Sequence, residues 1–175
     1  MIRIIITAYG EPKSTEKAVR AFLDQDIKEA YEIIVCDPFE EVKNYITEKF
    51  KDNKQVRYYE DPGEGKSYAL NLLINQHYSD NKDDIFIFTD GDVYVNNKSV
   101  NAILNAFKDK TIGAVPSRIV SLNSKDNMLG YWSHLLLDGA NKTRKYFSNK
   151  RDFFECSGYL FAIRNGIISE FPENA

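Results

Sequence analysis

Between Ile85 and Asp92 the chain reads I-F-I-F-T-D-G-D. Four consecutive apolar residues, two β-branched and two aromatic, leave no polar face for water. The run therefore predicts a strand buried on both faces. It stops at Asp90-Gly91-Asp92. Two carboxylates around one glycine, where a buried strand surfaces, repel each other, and a divalent cation would offset the repulsion. Carboxylate oxygens suit Mg²⁺ or Mn²⁺ better than zinc. Asp-Gly is also ordinary turn chemistry, so the tripeptide alone leaves both readings open.

The chain around this strand alternates. Ile2–Thr7 is β-branched and predicts a first strand, broken by Ala8-Tyr9-Gly10-Glu11-Pro12. Ser14 or Thr15 is placed to cap a helix through about Asp24, with Ala18, Ala21 and Phe22 inward. Tyr31–Cys36 predicts a second strand, ending at Asp37-Pro38. Glu40–Phe50 predicts a helix with Val42, Tyr45, Ile46 and Phe50 at helical spacing. A short strand, Val56–Tyr59, leads through the loop Asp61-Pro62-Gly63-Glu64-Gly65 into a helix over Lys66–His77, with Leu70, Leu73 and Ile74 inward. After Ile85–Thr89 comes a helix over Asn97–Phe107, with Val100, Ile103, Leu104 and Phe107 in register.

Four such alternations predict an α/β fold, a mostly parallel sheet flanked by helices and joined by right-handed crossovers. Ligands of such sheets sit at the carboxyl ends of the strands. Thr7–Glu11, Asp37, Asp90 and Asp92 all fall on that edge. Beyond residue 110 the alternation fades. Ile112–Leu122 reads as an extended segment interrupted by Pro116. Asp126–Phe147 begins as a helix whose Leu129, Trp132, Leu135 and Leu136 share a face, and Phe153–Arg164 reads as a strand containing Gly158. Residues 111–175 thus read as a lid or acceptor-side layer over the sheet edge of residues 1–110, within the same domain.

Composition narrows the class. At 175 residues and 43% apolar, the chain fits one domain with a real core. A net charge of −3 gives no basic field to hold nucleic acid. Cys36 and Cys156 are too few for a disulfide framework, and their apolar surroundings predict buried free thiols in a reducing, cytoplasmic setting. No apolar run approaches the ~20 residues of a membrane span, and the β-branched start is no signal peptide.

Taken in order, these stretches resemble the family 2 glycosyltransferases of the Rossmann-like GT-A fold. Thr7-Ala8-Tyr9-Gly10-Glu11 is similar to the family's T-x-Y-N-E turn, with Gly10 in place of Asn. Leu23-Asp24-Gln25 resembles the S-L-x-x-Q helix end. Val35-Cys36-Asp37-Pro38-Phe39 stands where V-D-D-G-S is usual, keeping one carboxylate. Gly65-Lys66-Ser67-Tyr68-Ala69-Leu70-Asn71 is similar to G-K-x-x-A-L-N, Thr89-Asp90-Gly91-Asp92 to the D-x-D motif, and Ser157-Gly158-Tyr159 with Arg164 to S-G-x-x-x-x-x-R. The resemblance implies that Thr7, Tyr9 and Glu11 line the base and ribose, and that Asp37 accepts a hydrogen bond from the base. It implies that Lys66 faces the donor, that Asp90 contacts ribose or metal, and that Asp92 ligates Mn²⁺ or Mg²⁺. The implied donor is a UDP-sugar, with a GDP-sugar as the alternative. The acceptor is a saccharide or lipid, and transfer inverts the anomeric carbon.

Two rival readings stand beside this one. Gly65-Lys66-Ser67 imitates the end of a P-loop, but Glu60 occupies the position of its first glycine. A non-catalytic nucleotide-sugar-binding fragment, or an inactive relative, is the other. The family's catalytic base is an acidic pair after the S-G-x-x-x-x-x-R strand. Only Glu170 and Glu173 follow Arg164 here, so the base is expected beyond Ala175, with Asp138, Asp152 and Glu155 as the upstream candidates. The basic run Lys142–Arg151, carrying Lys142, Arg144, Lys145, Lys150 and Arg151, reads as a solvated loop or as a peripheral contact with an anionic acceptor or membrane face. His134, next to Trp132 on the predicted helix, is assigned to packing.

Overall fold

The computed structural model describes residues 1–148, 156 and 158–172. Strand β1 (Ile2–Thr7) is followed by α1 (Pro12–Leu23), β2 (Tyr31–Asp37), α2 (Glu40–Lys49), β3 (Val56–Glu60), α3 (Lys66–His77), β4 (Ile85–Asp90) and α4 (Ser99–Ala106). Then come β5 (Ala114–Pro116), α5 (Met128–Ser148) and β6 (Leu160–Arg164). The six strands form one sheet in the order β3-β2-β1-β4-β6-β5. The first four pair in parallel, and β6 lies antiparallel to both β4 and β5. This is the α/β architecture expected, with a mostly parallel sheet flanked by helices.

The side-chain alternation of β1 and β4 explains the layers. Ile4, Ile6, Ile85 and Ile87 pack with Val19 and Phe22 of α1, Val42 and Ile46 of α2, and Val100 and Ile103 of α4. Ile5, Phe86 and Phe88 face the other way, onto Leu70, Leu73 and Ile74 of α3 and Phe161 of β6. Successive strand residues point to opposite faces, so a strand covered on both sides must be apolar at every position.

Local expectations fail in instructive places. Neither Ser14 nor Thr15 caps α1. Pro12 opens the helix behind Glu11, and the buried Thr15 hydroxyl donates to the Glu11 carbonyl, 2.8 Å away. Proline suits a first helical position because its missing N–H would have no partner there. Ala21 is half-buried, and Val19 takes the inward place. The extended segment shrinks to three residues of strand, Ala114–Pro116, with one further bond from the Ser117 N–H to the Leu160 carbonyl. Gly158 lies in a turn before β6, not inside a strand. The proposed strand start at Phe153, together with Ser157, lies outside the described residues. Cys36 is buried, and its thiol is pushed up to about 12 by burial and the nearby Asp61 and Asp37 charges. Cys156 is half-exposed and lies in no strand.

Three polar residues from the recognised motifs serve the fold. Gln25 is buried. Its amide donates to the carbonyls of Ala21 and Asn96, and its side-chain oxygen accepts the Val100 N–H, tying α1 to the start of α4. Asn71 makes a reciprocal pair with the Phe171 backbone at 2.9 and 2.6 Å. The buried Arg164 guanidinium donates to the carbonyls of Phe107, Asp109 and Ile112.

Candidate functional site

Parallel register sets the site. Thr7 lies opposite Asp90 on one side and Cys36 on the other, and Asp37 lies opposite Glu60. The strands therefore end level, and the loops leaving them enclose a pocket of about 320 Å³. From the β1 end the pocket takes Thr7, Ala8, Tyr9 and Glu11, together with Thr15 of α1. From the β4 end it takes Asp90, Gly91 and Asp92, and from the β3–α3 connection Asp61, Gly63, Gly65 and Lys66.

The Asp-Gly-Asp turn is built by close approach. Gly91 donates its N–H to the Thr7 carbonyl at 2.8 Å. A Cβ on Gly91 would sit 2.9 Å from the Ala8 Cβ and 3.0 Å from the Thr15 hydroxyl oxygen. Only glycine lets the two loops close this tightly. The Thr7 hydroxyl donates to Asp90 Oδ1 at 3.2 Å, and the Lys66 ammonium donates to the same oxygen. Lys66 Nζ also reaches the Gly158 carbonyl at 3.4 Å. Gly65 before it has φ +103°, a left-handed conformation that turns the chain into α3 and brings Lys66 over the strand ends. Asp92 is exposed at the rim.

Tyr9 stands almost free, 76% exposed, its ring meeting Phe39 edge-on with centroids 4.8 Å apart. Beneath this pair lies Asp37. Its carboxylate accepts the Gly10 N–H at 2.9 Å and the Phe39 N–H at 2.7 Å. A hydrogen bond from the base was expected of Asp37, which needs its carboxylate open at the sheet edge. The residue is instead fully buried and absent from the pocket lining, because two turns consume its oxygens. Burial pushes its carboxyl above the usual carboxylate range against the pull of the Phe39 and Gly10 N–H donors, and the Asp61 charge adds to the rise. Its expected proximity to the Thr7–Glu11 turn holds.

Thus Thr7, Tyr9, Glu11, Lys66, Asp90 and Asp92 meet in one pocket, while Asp37 braces it from below. Sequence reasoning missed Asp61, whose carboxylate accepts the Gly63 N–H at 2.9 Å and whose own N–H donates to the Asp37 carbonyl. The signal was available, since Asp61 directly follows the end of β3 at Glu60, beside the Asp37 that ends β2. The lining carries four carboxylates, Glu11, Asp61, Asp90 and Asp92, against the single ammonium of Lys66. No group of three His, Cys, Asp or Glu among the described residues is arranged to hold a metal by itself. Asp138 and Glu170 are exposed and outside this lining, and Asp152, Glu155 and Glu173 lie outside the described residues. The Arg164 of the later motif is engaged with backbone carbonyls away from the pocket. His134 contacts the Asn123 carbonyl at 2.8 Å, outside the pocket lining.

Comparison with known proteins places this geometry. The fold is similar to that of S. aureus TarS residues 1–349 in complex with UDP-GlcNAc, with TM-score 0.59 and 16% identity over 73% of this chain and 36% of that one. It is also similar to 4-diphosphocytidyl-2C-methyl-D-erythritol synthase from Anaerococcus prevotii, with TM-score 0.57 and 14% identity over 97% and 72% of the two chains. A third likeness is CMP:2-keto-3-deoxy-manno-octonic acid synthetase complexed with CTP, with TM-score 0.54 and 12% identity over 95% and 75%. The chain thus spans about a third of the TarS structure. No curated protein matches it in sequence. The model of one family, described as glycosyl transferase family 2, matches residues 3–171. With nearly every residue inside that match, the chain belongs to glycosyl transferase family 2.

Proposed function

We propose that the strand-end pocket binds a nucleoside-diphosphate sugar together with Mn²⁺ or Mg²⁺, as the donor site of an inverting glycosyl transfer. The observation that carries this reading is the pocket's charge. Four carboxylates around one lysine would repel a bare diphosphate, so the anionic donor needs a cation between it and the walls. Asp90 and Asp92 fit that cation. Mg²⁺-type sites commonly use one or two carboxylates and complete their shell with phosphate oxygens and water, and a closed protein cage is not required. When bound, the ion supplies positive charge against the departing diphosphate.

The chain's own residues divide the remaining work. The exposed Tyr9 ring offers a stacking face to the base, and Thr7 and Glu11 flank the ribose side. Asp37 holds the Gly10 and Phe39 turns that orient Tyr9. Lys66 exchanges Asp90 for a phosphate oxygen. In transfer, an acceptor hydroxyl forms the new bond to the anomeric carbon as the bond to the diphosphate breaks, and the hydroxyl proton passes to a base. No described residue is assigned that base. Residues 111–175 supply the acceptor side, with a saccharide or lipid acceptor. The UDP-GlcNAc held by TarS favours a UDP-sugar over a GDP-sugar. The free thiol of the buried Cys36 fits a cytoplasmic setting.

A second reading rests on the CTP-complexed neighbour, whose own chain is covered to 75%. It makes the pocket a cytidylyl-transfer site. Titration calorimetry with UDP, GDP and CTP, each with and without Mn²⁺, separates the two. UDP binding that requires Mn²⁺ and disappears in Asp92→Ala, with the circular dichroism unchanged, supports the donor-site reading. Metal-independent UDP binding, or tighter CTP binding, overturns it.

A further inference from the structure

Helix α5 is inside out. Ser133, His134 and Asn141, on one side, seat it on residues 119–123. Ser133 bonds the Ser121 hydroxyl at 2.7 Å, His134 the Asn123 carbonyl at 2.8 Å, and Asn141 the Ile119 backbone at 2.6 and 3.2 Å. The opposite side carries Met128, Leu129, Trp132, Leu135 and Leu136, spaced i, i+1, i+4, i+7 and i+8, which is the spacing of a core-facing stripe. All five face water, at 73%, 78%, 51%, 48% and 67% exposure. Val120 and Leu122, at 61% and 80%, are exposed on the underlying segment. A patch of this size marks an interaction surface.

Charge selects the occupant. Residues 118–147 carry Arg118, Lys125, Lys142, Arg144 and Lys145 against only Asp126 and Asp138, in a chain whose net charge is −3. Arg118, Lys125, Lys142 and Lys145 are all exposed. A second copy presenting the same cationic face would be repelled. A leucine- and tryptophan-bearing stripe flanked by lysines is the composition of a helix that lies in the headgroup layer of an anionic bilayer. Among the described residues no helix is long and apolar enough to cross a membrane, so the contact is one of lying on the surface.

We propose that α5 docks the protein on an anionic phospholipid surface, with Leu129, Trp132, Leu135 and Leu136 inserted and the lysines on the headgroups. This goes beyond the donor-site reading and does not depend on it. Trp132 is the chain's single tryptophan, so its emission reports the contact directly. Vesicles of phosphatidylcholine with phosphatidylglycerol should shift that emission to the blue and carry the protein with them on flotation. Vesicles of phosphatidylcholine alone should do neither. Leu129→Glu with Leu136→Glu, both at exposed positions, should weaken the anionic-vesicle binding at least tenfold with circular dichroism and nucleotide binding unchanged. Lys125→Glu with Lys142→Glu should weaken it and reduce its salt dependence. Unchanged emission with anionic vesicles overturns the proposal. So does equal binding to neutral vesicles, or a blue shift that grows with protein concentration in the absence of lipid, which would make the cover a second copy.

Discussion

Lys66 and Asp90 hold each other at the centre of the pocket, the ammonium on Oδ1 of the carboxylate that the Thr7 hydroxyl also touches. Both side chains are partly exposed, at 44% and 29%, so the pair is open to exchange. A bare divalent cation approaching Asp90 must displace this ammonium and then sit beside it. A cation arriving with a diphosphate brings oxygens to which Lys66 can turn. Metal and nucleotide should therefore bind synergistically. Lys66→Met is expected to raise the affinity for Mn²⁺ alone severalfold. It should weaken UDP in the presence of Mn²⁺ by about one charged hydrogen bond, ~1.5–3 kcal/mol. Mn²⁺ titration followed by electron paramagnetic resonance reads the first effect and calorimetry the second. Weaker binding of Mn²⁺ alone would contradict the exchange.

Asp37→Ala should act on stability before it acts on binding. The substitution removes the charged acceptor of the Gly10 and Phe39 N–H groups, and a hydrogen bond to a charged group is worth about 1.5–3 kcal/mol. A urea midpoint that moves accordingly supports a bracing role. An unmoved midpoint with lost nucleotide binding would mean that Asp37 touches the ligand itself. Asp37 also sets a pH signature. Unfolded, it titrates at about 3.9; folded, its pKa is raised. Between the two values the folded state holds more protons. Its contribution to stability therefore grows as pH falls through the folded pKa and levels off below the unfolded one. Asp37→Asn should remove that slope.

Gly91→Ala is expected to destabilise the fold by about 1–3 kcal/mol, the usual cost of forcing a methyl group into a filled space. The added Cβ meets Ala8 in the loop after β1 and Thr15 in α1. Thermal unfolding without metal or nucleotide checks this. A loss of metal binding with stability unchanged would show instead that the glycine serves only the ligand.

Tyr9→Ala should weaken UDP by about 1–3 kcal/mol, the usual worth of one base stacked on an aromatic ring. Pyrophosphate, which has no base, should bind the variant as it binds the parent chain. The ring is exposed, so unfolding should be unaffected. Equal losses for UDP and pyrophosphate would move Tyr9 from the base to the phosphates.

The fold and most of the pocket were legible because both follow from one-dimensional patterns. A strand buried on two faces must read as I-F-I-F, and parallel register then levels the polar strand ends without further information. The roles of single polar residues were less legible. Gln25, Asn71 and Arg164 sit in motifs that resemble a donor-binding enzyme's, yet each bonds at least one backbone group distant in sequence and away from the pocket. Asp37 carries the same lesson. Sequence shows that a carboxylate ends β2, but not whether ligand or backbone takes its oxygens. The spacing in α5 shows that Leu129, Trp132, Leu135 and Leu136 share a side, but not that this side faces water while Ser133, His134 and Asn141 meet residues 119–123.

The antiparallel pairing of β6 with β4 has a consequence during synthesis. Until Leu160–Arg164 has emerged, the Ile85–Phe88 ladder has one open edge. An open row of β-branched and aromatic residues invites pairing with other nascent chains. A truncated product ending near residue 110 would expose that edge permanently and should aggregate, even though it carries most of the pocket. The last strand of the sheet thus acts as a seal, and expression yield should fall sharply once the chain is cut short of it.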